Sequence, residues 1–350
     1  MFDQDIPDNH RSGFVSVVGR PNVGKSTLLN HFLGQKIAIV SPKPQTTRNR
    51  LLGILNFPSD IHPDLSIFLP PAQIVFVDTP GIHKPQHRLG KFLVDTAMEA
   101  IPNSDVVLWL VDASQTLNRS DKMVAQALKQ ARQQGRFTGK VLLVLNKIDL
   151  VGKIPKEDFG QSTIPEAKLA DITNYHHTLC NLAYIQALSK SYLELFTADT
   201  WIPISATIGT NQPYLLHQLV DQLLLGPRFF PEDQVTDQNM RFIAADIVRE
   251  ATLHLLQKEI PHTIAVGIEE FKERSDTMTY INATIILERD SHKKIVIGKN
   301  GRTLKQIGQY ARKELEELIG TKVYLELWVK VRPKWRSKEE ELKQLGYSLA

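Results

Sequence analysis

Gly19-Arg20-Pro21-Asn22-Val23-Gly24-Lys25-Ser26 lies between an apolar run, residues 13–19 (GFVSVVG), and an apolar helical pattern over residues 26–33. This is G-x-x-x-x-G-K-S placed after a strand and opening a helix, where a phosphate-binding Walker A loop must lie. The glycines let backbone N–H groups turn inward around phosphate oxygens, and the helix N-terminus adds its dipole. Lys25 can reach the outer phosphates, and Ser26 can offer a hydroxyl to Mg²⁺. The loop itself reads as exposed.

Four further elements follow in order. Asp78-Thr79-Pro80-Gly81 ends an apolar run at 74–77; Asp78 can hold Mg²⁺ through water, and the Gly81 N–H can face a γ-phosphate. Asn146-Lys147-Ile148-Asp149 ends the run at 141–145. Asp149 can accept from the N1–H and 2-amino groups of guanine, two donors that adenine lacks. Ser205-Ala206 follows the run at 201–204 and can present an N–H to guanine O6. Thr46-Thr47 lies between the Walker loop and Asp78, the place of a switch residue that completes the Mg²⁺ shell. Each tetrapeptide is weak alone, and the five in sequence order specify a GTPase.

Strands alternating with helical stretches imply right-handed βαβ units and a mostly parallel sheet. A helix over 212–225 closes this half, Gly226-Pro227 breaks it, and 227–239 reads as a linker. The rest reads α-β-β-α-α-β, with helices at 240–257 and 302–318, strands at 263–272, 277–287 and 322–331, and a short helix reaching Ile297. Two segments look like insertions: 56–73, with four prolines, and 151–199, whose 166–188 part has helical spacing. His176 and His177 there have no metal-ligand partners nearby and read as surface or capping residues.

The 350 residues suit about two domains at ~150 residues each. Apolar residues at 42% and charged residues at 23% exclude a disordered or fibrous chain. A single cysteine, Cys180, excludes an intramolecular disulfide and supports no zinc site. The apolar runs fall far short of the ~18 residues of a membrane span. The N-terminus, with Asp3, Asp5 and Asp8, reads as neither a secretory signal nor a transit peptide. The net charge of +4 is uneven: residues 1–240 hold 22 basic and 22 acidic groups, and residues 241–350 hold 20 and 16. The stretch 291–313 has seven Lys or Arg and no acid, and 330–338 carries a base at every other position. Two such clusters in one domain point to a polyanionic partner.

Gly298-Lys299-Asn300-Gly301 joins the last two helices. Within α-β-β-α-α-β and a basic segment, GxxG fits a type-2 KH domain, in which the turn admits phosphates to a helix N-terminus and a groove holds about four nucleotides. Lys299, Arg302 and Lys305 would neutralise phosphates, and Ile295 and Ile297 would pack the groove.

GRPNVGKST, PQTTRNR, DTPGIHKP, NKID and ISA together resemble the translation-factor-related GTPases of the TrmE-Era-EngA-YihA-Septin-like superfamily. With FPEDQVTDQNMRF, DIVRE, LELWVKVRPKW and LGYSL, nearly the whole chain resembles the Era family of bacterial KH-domain ribosome-assembly GTPases. The resemblance implies a P-loop α/β G domain over 11–226, a linker over 227–239, a type-2 KH domain over 240–335 and a tail over 336–350. It implies GTP or GDP with Mg²⁺ on residues 19–27 (Gly19 to Thr27), 78–82 (Asp78 to Ile82), Asn146, Lys147, Asp149, Ser205 and Ala206. Ser26, Asp78 and Thr47 would serve the metal, and Asn22, Lys25, Thr47 and Gly81 the chemistry. Ile82 stands where Ras-like proteins carry a water-orienting glutamine, and Asn22 matches a position that holds K⁺ in related GTPases. The resemblance further implies binding near the 3′ end of small-subunit ribosomal RNA on Gly298 to Arg302 and Lys305, during small-subunit maturation. It also implies a monomeric cytoplasmic protein with a peripheral membrane-associated fraction.

Overall fold

A computed structural model describes residues 6–41, 43, 46–66, 68–153, 182–256 and 260–347. His176, His177, Cys180 and most of the helical spacing expected over 166–188 lie outside them. Packing divides the chain into two units, Met1–Lys36, Arg50–Lys84 and Val94–Asp237 against Ile37–Asn49, Pro85–Leu93 and Gln238–Ala350.

Among the described residues, the first unit is built on a seven-stranded sheet. Its strands are β1 (Arg11–Val18), β2 (Leu51–Phe57), β3 (Ala72–Asp78), β4 (Val106–Asp112), β5 (Lys140–Asn146), β6 (Thr200–Pro203) and β7 (Leu224–Leu225), and the main order is β2-β3-β1-β4-β5-β6. β3, β1, β4, β5 and β6 run parallel, and the edge strand β2 is antiparallel to β3. The apolar runs of β3, β4 and β5 are buried almost throughout, as parallel strands covered on both faces require. The helices of the chain begin with α1 (Lys25–Leu33), α2 (Pro63–Ser66), α3 (Arg88–Ala100), α4 (Arg119–Gln133), α5 (Leu182–Leu195) and α6 (Gln212–Gln222), and α1, α4, α5 and α6 supply much of the cover. Asn118 caps α4 through a reciprocal capping box with Asp121. Trp109 on β4 is wholly buried and meets Tyr192 of α5 edge-on, with centroids 5.6 Å apart.

Two expectations change here. The helix expected to run to Leu225 ends at Gln222, and β7 turns back to pair antiparallel with Arg11 and Ser12 of β1. Leu223 is already extended (ψ 148°), which stops the helix. The linker segment is no bare tether: Ile54 N donates to Val235 O at 2.8 Å, Leu52 N to the Asp237 carboxylate at 3.1 Å, and Thr236 Oγ1 to Leu52 O at 2.7 Å.

The second unit carries α7 (Met240–Leu255), α8 (Asp290–Ile297) and α9 (Arg302–Ile319) on one face of a three-stranded sheet. Its strands are β8 (Ala265–Ser275), β9 (Met278–Leu287) and β10 (Lys322–Val331), with β10 parallel and β8 antiparallel to the central β9. Ile281, Ala283, Ile285 and Leu287 of β9 meet the helices. Residues 335–347 are also folded: a turn at Trp335–Ser337 and helix α10 (Glu339–Gln344) bring Trp335, Leu342 and Tyr347 into a second core with Leu89, Leu93, Ala265 and Ile286. Arg48 is buried in the same unit. It donates to Ile264 O at 2.7 Å and lies 5.8 Å from the Trp335 ring centre and 5.9 Å from that of Tyr347.

Candidate functional site

The Walker loop leaves the carboxyl end of β1, the place where parallel sheets bind ligands. Asn22 (φ 65°) and Gly24 (φ 101°) take left-handed conformations that turn the backbone inward. A Cβ on Gly24 would come 2.3 Å from Asn146 Nδ2, so a side chain there would displace that residue. Lys25 corrects the expectation of an exposed loop: it is 6% exposed. Its ammonium donates to Arg20 O at 3.2 Å and reaches Gly19 O at 3.5 Å. Desolvation lowers its pKa to about 8, against the attraction of Asp78. Arg20 faces Gln115 Oε1 at 2.8 Å, Asp121 at 3.2 Å and Asp112 at 3.7 Å, so its guanidinium braces the loop from below.

Ser26 Oγ donates to Asp78 Oδ2 at 2.7 Å. A hydroxyl and a wholly buried carboxylate side by side form a hard oxygen set that fits Mg²⁺ completed by phosphate and water. Thr79 is locked by its hydroxyl onto Val17 O at 2.7 Å. Gly81 passes so close to the Walker loop that a Cβ would meet Pro21 N at 2.5 Å. Ile82 donates its N–H to Gly19 O at 3.0 Å, and its side chain is buried in the core with Val18 and Trp109. The glutamine-equivalent position therefore points into protein. Thr46 and Thr47 pack with the second unit, where Arg249 donates to Thr46 O and Lys43 to the carbonyls of Leu253 and Leu256.

Asn146 ties two loops together. Its Nδ2 donates to Val23 O, and its Oδ1 accepts from Ala206 N, each at 2.8 Å. The N–H expected at guanine O6 is thus directed to Asn146 in this structure. Ser205 is buried, and its hydroxyl accepts from Ile208 N at 3.2 Å. Asp149 is half-buried in the turn Ile148–Lys153. Lys147 (φ 67°) donates to Asn22 O and to Asp112 Oδ2, both at 2.7 Å. Asp112 was not singled out from sequence, yet it joins Lys147, Ser114 and Arg20 beneath the loop. Its signal was a lone carboxylate at the carboxyl end of a central strand.

In the second unit, Gly298 (φ 74°, ψ 174°), Asn300 (φ 53°) and Gly301 (φ 75°) form the turn between α8 and α9. A Cβ on Gly298 would lie 2.3 Å from Thr303 Oγ1. Lys299, Arg302 and Lys305 are exposed around the turn. Ile297 is half-buried, whereas Ile295 is 52% exposed rather than packed away. The 330–338 stripe is not one cationic face. β10 ends at Val331, and Lys334 is left-handed. Lys330 pairs with Glu269 at 3.5 Å, Arg332 with Glu341 at 2.8 Å and Arg336 with Glu288 at 2.6 Å.

Residues 14–147 match the family model of a 50S ribosome-binding GTPase, and residues 259–336 match a KH domain. Among solved structures, the chain is similar to Era in complex with MgGDPNP and nucleotides 1506–1542 of 16S ribosomal RNA. Identity is 37%, covering 97% of this chain and 100% of that one, with a TM-score of 0.80. It is also similar to an Aquifex aeolicus Era variant bound to GDP·AlF4⁻, at 38% identity over the same shares and a TM-score of 0.79. With every residue of those two chains covered at this identity, the chain belongs to the Era family of GTPases.

Proposed function

We propose that the protein is a GTP-hydrolysing switch that binds ribosomal RNA near the 3′ end of the small-subunit RNA and acts in rRNA processing and small-subunit biogenesis. It is a GTPase that binds GTP and GDP with Mg²⁺ and converts GTP to GDP and phosphate. The observation that carries the nucleotide half is the Ser26–Asp78 pair beside a buried Lys25.

In this reading the backbone of residues 19–27 cradles the phosphates, and Lys25 balances their charge. Ser26, Asp78 and Thr47 hold Mg²⁺, which when bound offsets charge on the transferring phosphoryl group. Gly81 N–H faces the γ-phosphate, and Asp149 reads guanine. Asn146 and Lys147 hold the base loop to the Walker loop. With Ile82 buried, charge in the transition state falls to Lys25 and backbone donors, and Asn22 would hold a K⁺ ion able to offset the same charge. A G domain over 11–226, a connecting segment over 227–239, a KH domain over 240–335 and a tail over 336–350 divide the work.

RNA enters at Gly298 to Arg302 and Lys305, the partner being the small ribosomal subunit. The protein works as a monomer in the cytoplasm with a peripheral membrane fraction. The ion pairs of Arg332 and Arg336 leave less free charge for lipid than the sequence promised. Among the described residues no helix is long and apolar enough to cross a membrane. The test combines GTP turnover with RNA binding by a Lys299→Asp, Asn300→Asp variant. RNA affinity should fall and its salt slope flatten, with turnover unchanged. Unaltered RNA binding across a salt titration would move the RNA site off the turn.

A further inference from the structure

The helices cover one face of the β10-β9-β8 sheet, and the other face is only partly covered. At one end Ala265 and Ile286 lie in the core with Trp335, Leu342 and Tyr347. Toward the other end that face presents rings. Tyr324 and Trp328 on β10 are 59% and 55% exposed, while their neighbours Leu325, Leu327 and Val329 pack against the core beneath the helices. Monomer surfaces seldom gather exposed aromatic side chains without a use.

These rings are held in place. Tyr324 stacks on Tyr280 of β9 with centroids 5.9 Å apart and planes 24° apart, and the Arg274 guanidinium lies 4.1 Å from the Tyr280 ring centre. Glu326, between Tyr324 and Trp328 in sequence, accepts from Tyr280 OH at 2.6 Å with one oxygen and from Trp328 Nε1 at 3.1 Å with the other. Both oxygens are engaged in fixing rings, and the carboxylate keeps its charge, as does the exposed Glu270 opposite Asn282. Glu269 is likewise engaged by Thr284 Oγ1 at 3.0 Å and by Lys330 at 3.5 Å. Lys272 stands opposite Tyr280 in the β8–β9 register and is exposed, as is Arg274. Four residues along a strand separate Tyr324 from Trp328 by about 13 Å, a span for a short run of splayed nucleotides.

We propose that this aromatic face binds single-stranded RNA by base stacking, as a second contact on the side of the sheet away from the GxxG turn. Flat, fixed rings flanked by Lys272 and Arg274 suit bases and phosphates, since every base has a π-face and stacking needs no pocket. The proposal rests on the reading of the second unit as an RNA-binding domain.

The test uses the full chain and a 12-nucleotide single-stranded RNA. Of the four tryptophans Trp109 and Trp335 are buried and Trp201 is half-buried, and all three remain in Trp328→Phe, so the difference in emission between wild type and that variant isolates Trp328. RNA should quench that emission saturably, and should still do so, at higher concentration, in the Lys299→Asp, Asn300→Asp variant. Tyr324→Ala with Trp328→Ala should weaken binding at least tenfold, while Trp328→Phe, which keeps a ring, should stay within threefold of wild type. If RNA binds with Trp328 emission unchanged and affinity unmoved by loss of both rings, the proposal fails and the GxxG reading stands. If wild type binds no RNA, both fail. Quenching by an arginine-rich peptide but not by RNA would give the face to a basic protein segment and overturn the proposal.

Discussion

Ser26 Oγ lies 2.7 Å from Asp78 Oδ2, so the first residue pair that would meet Mg²⁺ is already assembled from α1 and the end of β3. The geometry needs both a hydroxyl and a charge. Asp78→Asn keeps the shape and removes the charge. GTP turnover at saturating Mg²⁺ should fall by roughly 10²-fold or more, with a smaller loss in GDP affinity, read by single-turnover hydrolysis and fluorescent-nucleotide titration. Equal turnover in variant and wild type would take Asp78 out of the metal site.

The buried Lys25 gives nucleotide binding a pH dependence. Its pKa is lowered from 10.5 to about 8, chiefly by desolvation. The folded protein therefore loses this proton at lower pH than the unfolded chain, and the fold gains stability as pH rises from about 8 toward 10.5. Phosphates favour the ammonium, so binding has the opposite sign: above pH 8 it must take up a proton, and GDP affinity should fall as pH rises. Calorimetry in buffers of different ionisation heat should show proton uptake at pH 8.5 that is lost in Lys25→Ala. A pH-independent affinity between 7 and 10 would contradict this.

Asp149 is half-buried, and its carboxylate accepts from both guanine donors in the proposed site. Asp149→Asn should weaken GTP by roughly 10²-fold or more and shift preference toward xanthosine triphosphate, whose 2-oxo group accepts from the new amide. Competition between the two triphosphates reads this directly, and unchanged GTP affinity would remove Asp149 from the base site.

Potassium assistance is tested by GTP turnover in potassium and sodium at equal ionic strength. Wild type should be faster in potassium, and Asn22→Ala should lose the difference. Equal wild-type rates would rule the ion out and leave Asn22 as a left-handed loop residue.

Arg48 joins the segment 37–49 to the extension beyond 335. Arg48→Ala leaves the Ile264 carbonyl without this donor and opens space beside two rings, and should cost the second unit about 2–3 kcal/mol. Arg48→Lys should recover less than half, since an ammonium lacks the planar fork. Denaturant unfolding read by hydrogen exchange at the amides of β8, β9 and β10 measures both.

Most of the nucleotide site was legible because its chemistry is local: the residue types of the Walker loop, of 78–81 and of 146–149 imply their roles wherever strands end. What escaped was set by distant packing. Nothing near Asp112 in sequence shows that Arg20 and Lys147 converge on it. The even spacing of cations over 330–338 suggested one face, but the strand stops at Val331 and each partner acid comes from another element. Leu224 and Leu225 continue a leucine-rich helix by composition; their pairing with Arg11 and Ser12 becomes visible only once the chain start is placed beside them. Residues 336–350 read as a tail because Trp335, Leu342 and Tyr347 are spaced too irregularly to advertise a core.

β2 is the outermost strand of the first sheet, and the N–H groups of Leu52 and Ile54 are occupied by Asp237 and Val235. An outer strand left bare is a template for another copy of itself. Residues 235–237 thus insulate the sheet, and a protease cut between Phe230 and Val235 should convert a dispersed protein into one that self-associates. Light scattering after limited digestion would register this before any loss of nucleotide binding, because the phosphate loop leaves β1, which β3 separates from that edge.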